Sequence, residues 1–137
     1  MPSMNWRLKT ITQPLFLISC TLFGLHKLAE SMGYFNPFVD SYLDDLVVIP
    51  IFLATALFLM RLLLGASHRL ASSQIWATVV IVSVFFEVIA PEWYPDVFTA
   101  DWLDVLCYLL GGILFQQFGN NAISGSTDSQ EETPASP

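Results

Sequence analysis

Positive charge is what this chain has least of. Five Lys and Arg stand against twelve Asp and Glu, for a formal net charge of −7. Nucleic-acid binders neutralise phosphates with clustered basic residues, and five cations spread over 137 residues exclude that partner. Cysteine is equally scarce: Cys20 and Cys107 each lie inside an apolar run. That placement reads as small buried hydrophobes, with neither a disulfide framework nor a zinc site. His26 and His68 fall at opposite ends of the apolar runs, and no nucleophile–base arrangement or phosphate loop is present. The chain therefore reads as a non-enzyme. Charged residues of every kind reach only 12%, where soluble domains carry about 25%. With 54% hydrophobic residues and a mean hydropathy of +0.58, the expected solvent is lipid.

What is present is a set of four apolar runs, about Ile11 to Ala29, Leu46 to Leu64, Ile75 to Ala90 and Leu103 to Phe118. Each is near the ~20 residues a helix needs to cross the ~30 Å hydrocarbon core. Backbone groups in lipid must bond internally and no barrel-like alternation appears, so the runs are helices. The expectation is an all-α fold, an integral membrane four-helix bundle spanning residues 11–118. Arg7, Lys9, Arg61 and Arg69 flank the N-terminus and the loop between the second and third runs. The basic-side rule makes those segments cytoplasmic, with both termini inside. Residues 1–10 become a short cytoplasmic lead. The tail 119–137 is polar, turn-rich and aperiodic, and is expected to be disordered. Leu17-Ile18-Ser19-Cys20 has the outline of a lipobox, but the residues after it stay apolar where a lipoprotein continues as a polar tether.

The opposite side holds Glu30, Asp40, Asp44, Asp45, Glu92, Asp96, Asp101 and Asp104, with Lys27 as its one cation. Glu87 ends the third run, and a carboxylate within a spanning helix commonly marks an ion or proton path. Lys27 is its candidate counter-charge, with Glu30 at i+3 competing for it. Asp44, Asp45, Asp101 and Asp104 sit where the second and fourth runs begin, with Asp44, Asp101 and Asp104 as the candidate metal donors. They read either as helix N-caps or as oxygen donors for a hard divalent cation such as Mg²⁺. Asp104, Tyr108, Gly111 and Phe115 share one face of the fourth run. There Tyr108 can donate to a carboxylate and Gly111-Gly112 permit close helix packing. A shift of 60 residues lays Tyr42 on Trp102, Asp44 on Asp104 and Lys27 on Glu87. This outlines two helical hairpins related as parallel repeats.

Ser41-Tyr42-Leu43-Asp44-Asp45-Leu46 through Pro50, then Phe86-Glu87, then Asp101-Trp102-Leu103-Asp104 through Tyr108 with Gly111-Gly112, resemble a group of small bacterial membrane proteins. The group, chiefly from Bacteroidetes, carries the label magnesium citrate secondary transporter, and the resemblance covers about residues 15 to 118. More distantly, Glu87 followed by Asp104, Tyr108 and Gly111 is similar to the VanZ-like pattern. Here Tyr108 stands where that pattern has asparagine, and Ala90 where it tends to have glutamine. The first resemblance implies transport or binding of a divalent cation or its citrate complex at the acidic mouth. Free citrate is repelled by so acidic a face, so only a metal-neutralised small-anion complex fits. Four short helices enclose no large path, so transport would require a homo-oligomer. The second resemblance implies an envelope protein binding a lipid or cell-wall precursor, anchored by Trp93, Tyr94 and Trp102 at the interface. A third reading is an accessory membrane subunit docked through Gly111-Gly112.

Overall fold

The computed structural model describes residues 5–121. The described chain is helical: α1 (Asn5–Ile11), α2 (Pro14–Ser31), α3 (Pro37–Leu64), α4 (Ser72–Trp93) and α5 (Trp102–Gly119). Three of these, α3, α4 and α5, are long and apolar enough to cross a membrane. The first apolar run falls short of that measure. It breaks before Pro14, whose ring suits the first position of a helix and not its interior. Its last turns also carry His26, Lys27 and Glu30, which pull down the mean hydropathy. Of the tail expected to be disordered, 119–137, Gly119 closes α5 and Asn120 is buried, while 122–137 lie outside the described residues.

α3 is the spine, packing against α1, α2 and most extensively α5. It starts nine residues before the apolar run that announces it. Asn36 caps it, its side chain accepting from the Phe38 and Val39 amides, and Pro37 occupies the first turn. Its 28 residues reach about 42 Å at 1.5 Å per residue, beyond the ~30 Å of hydrocarbon. The excess carries Asp40, Asp44 and Asp45, which therefore lie inside the helix and not at its cap. α5, in contrast, does begin on an acid, with Asp101 accepting from the Leu103 amide at 3.0 Å. The two helices start at Pro37 and Trp102, 65 residues apart. The 60-residue register therefore matches the third turn of one to the first turn of the other.

One stripe organises the core. Asp45, Ile49, Leu53, Leu57 and Arg61 recur every four residues along α3, which keeps them on one face. The middle three are fully buried. Against them lie Tyr108 and Phe115 of α5, with Ile75 and Val79 of α4 beside them. The adjacent glycines of α5 serve different neighbours. A Cβ on Gly111 would lie 2.9 Å from the Leu46 carbonyl oxygen and 3.0 Å from Pro50 Cδ, and one on Gly112 would lie 2.7 Å from Val79 Cγ2. Pro50 has no N–H to give the Leu46 carbonyl, its i−4 partner. Gly111 brings its bare Cα face to that freed oxygen, a close approach only glycine allows. Both glycines are thus consumed inside the chain, which removes them as the docking surface of the accessory-subunit reading.

Candidate functional site

The stripe of α3 ends in an acid at one extremity and an arginine at the other, and polar clusters gather at both. At the acidic end, Tyr108 is buried and its hydroxyl donates to Asp45 Oδ1 at 2.9 Å. Asp104 meets Asp45 side chain to side chain, and Glu87 and Asp101 add their charge to the same spot. Glu87 lies in a π-helical turn, Phe85–Ile89, that interrupts α4. Such bulges concentrate at functional sites. Its Oε2 accepts from the Asp101 amide at 2.7 Å, which ties the end of α4 to the start of α5. Asp101 in turn receives the Tyr42 hydroxyl at 3.1 Å. Among the described residues no basic side chain acts on Asp45, Glu87 or Asp104. Hydroxyl and amide donors hold Asp45, Glu87 and Asp101, and Asp104 joins them through Asp45.

A second group stands beside it on α2 and α3. His26 is buried and points both ring nitrogens at carboxylates, Nδ1 to Asp44 Oδ1 at 2.7 Å and Nε2 to Asp40 Oδ1 at 2.6 Å. Both nitrogens can donate only as imidazolium, so this ring bridges two acids one turn apart on α3. Lys27 adds Asp44 Oδ2 at 2.7 Å and Glu30 at 3.0 Å. The pairing of Lys27 with Glu87 expected from the sequence is not formed. Lys27 is half-exposed on α2, and the acids of α2 and α3 lie nearer than Glu87 across the bundle.

The structure thus divides the three acids proposed for Mg²⁺. Asp44 is committed to His26 and Lys27, while Asp101 and Asp104 belong to the Asp45 cluster. Among the described residues no three His, Cys, Asp or Glu side chains converge as a metal-holding group. Cys20 and Cys107 are free thiols, partly buried.

The sequence reading missed His26 and Arg61. Nothing in the spacing of His26 from Asp40 and Asp44 has helical period, because the contact crosses a loop. Arg61 did carry a signal, standing four residues beyond Leu57 on the core stripe. It is fully buried, donating from Nε to the His68 carbonyl at 3.0 Å, from one terminal nitrogen to Thr10 Oγ1 at 3.0 Å and from the other to the Asn121 carbonyl at 2.6 Å. Asn120 completes this end, exchanging bonds with the Leu70 amide and carbonyl at 2.9 and 2.7 Å.

Compared with protein-family models, curated proteins and solved structures, the chain matches none.

Proposed function

We propose that the chain is a four-span protein of a bacterial inner membrane that binds a cation at its acidic outer end and exchanges it for protons. In this reading α2 crosses with the other three helices, its polar last turns meeting the excess length of α3. Both termini are then cytoplasmic. The observation that carries the reading is the cluster of Asp45, Glu87, Asp101 and Asp104 with no base among them. Like charges this close in a low dielectric require neutralisation, by protons or by an arriving cation. Asp45 and Asp104 meet side chain to side chain, and Tyr108 fixes Asp45 in place. A divalent cation, alone or as its citrate complex, is written here as cargo: it meets the cluster with part of its water retained, as Mg²⁺ does. Glu87 couples the cluster to the π-helical turn of α4, so neutralising it frees the Asp101 amide and loosens the α4–α5 connection.

The test is thermal unfolding of detergent-purified protein with Mg²⁺, citrate, or both. A ligand at about 100 times its Kd adds about 2.7 kcal/mol of stability. A rise with Mg²⁺ that disappears in Asp45→Asn/Asp104→Asn is expected. No rise under any condition removes the cation reading.

A second reading has its own support. An apolar cleft of about 310 Å³ between α3 and α4 is lined by Val48, Ile49, Phe52, Ile81, Val82, Phe85 and Phe86. Trp93, Tyr94 and Trp102 stand exposed at the acidic end. A lipid-linked envelope precursor would lay its chain in that cleft and its headgroup among these rings, as in the VanZ-like reading.

A further inference from the structure

The arginine end of the bundle has an unbalanced charge. Arg61 is buried and its three bonds go to neutral oxygens, a hydroxyl and two carbonyls. Among the described residues the charged group acting on it is Arg69, of the same sign. Among the described residues neither arginine has a carboxylate partner. Among the described residues Arg69 spends its Nε alone, on the Asn120 carbonyl at 2.8 Å, and its side chain is exposed. Beside it in the chain, His68 Nε2 is buried with no partner. Two like charges held this close, one of them desolvated, raise the local potential and call for an anion.

We propose that Arg69, backed by the buried charge of Arg61, binds the phosphate of an anionic lipid headgroup. The planar guanidinium presents its two terminal nitrogens to phosphate oxygens in the fork geometry that suits them. A lipid is favoured over a free anion by what surrounds the arginines. Leu63 and Leu64 close α3 one turn beyond Arg61 at 80% and 65% exposure, an apolar wall for the acyl chains of the same molecule. α1 brings Lys9 to this end through the bond of Thr10 to Arg61, which adds to the attraction for an anionic surface. This inference rests on the chain spanning a bilayer and is independent of any cation at the acidic end.

The experiment uses the full chain in neutral detergent, titrated with phosphatidylglycerol and, separately, phosphatidylcholine of the same chain length. The thermal midpoint is followed. The expected result is a rise of several degrees with phosphatidylglycerol and little with phosphatidylcholine. Arg69→Gln should lose most of that rise while keeping its midpoint in phosphatidylcholine, and Arg69→Lys should keep part of it. Equal rises with both lipids, or an undiminished rise in Arg69→Gln, would overturn the proposal. An identical rise with inorganic phosphate alone would also overturn it, making the site one for free anions. A rise seen only after Asp128→Asn/Glu131→Gln/Glu132→Gln in the full chain would assign the arginines to the protein's own acidic tail instead.

Discussion

Arg61→Leu is expected to remove about 3 kcal/mol or more of stability, the larger part of what a small domain has to spare. A hydrogen bond to a charged group contributes about 1.5 to 3 kcal/mol, and Arg61 makes three of them, to three different segments. Thr10 belongs to α1, His68 to the loop before α4, and Asn121 to the exit of α5. Leucine would fill much of the space but take this donor from the buried Thr10 hydroxyl and from two half-buried carbonyls. Arg61→Lys should fall between, because one ammonium cannot span three acceptors in a plane. Unfolding midpoints in detergent for the three proteins check the order. If Arg61→Leu were as stable as the parent, the three bonds would contribute nothing, and the arginine end would be held by α3–α5 packing alone.

Gly111→Leu should be nearly as damaging, for the opposite reason. A single methyl at that position already meets the Leu46 carbonyl at 2.9 Å, Pro50 Cδ at 3.0 Å and Ile49 Cβ at 3.1 Å. Backbone cannot swing aside as a side-chain tip can, so α5 must move off α3. Overpacking of this kind costs about 1 to 3 kcal/mol for the first added carbons and more as the side chain lengthens. The bond from Tyr108 to Asp45 lies one turn away on the same face, so its loss should accompany the shift. Gly24→Ala is the matched control. Nothing lies within 4 Å of a Cβ there, and alanine is favoured over glycine within a helix by about 1 kcal/mol. That variant should hold or gain stability. Paired unfolding curves for the two glycine variants check this, and equal midpoints would mean the α3–α5 contact is looser than described.

Much of the helical layout was legible from hydropathy because lipid-length apolar runs leave few alternatives. The runs overlap α3, α4 and α5, but the start of α3 did not follow from them. Asn36-Pro37 is a cap signal, yet the polar turns after it hide the helix from any reading of apolarity. Periodicity exposed the Asp104–Tyr108–Gly111–Phe115 face, since those residues share one helix. It could not expose which acid Tyr108 would meet, because Asp45 comes from α3 and its choice depends on how the two helices slide. The same limit explains the pair expected between Lys27 and Glu87. A register drawn by a 60-residue shift assumes matched helix starts, and the starts differ. Arg61 was read only for its sign. Its four-residue spacing from Leu57 placed it on the buried face all along.

The central claim is that four carboxylates bind a cation at the acidic end and release protons to water in exchange. The most direct measurement places the protein in sealed vesicles with a pH-sensitive dye inside and applies an inward Mg²⁺ gradient, with and without citrate. The account predicts alkalinisation of the lumen as protons leave, absent from protein-free vesicles and lost in Glu87→Gln. A signal no greater than that of empty vesicles, or an undiminished signal in Glu87→Gln, would contradict it.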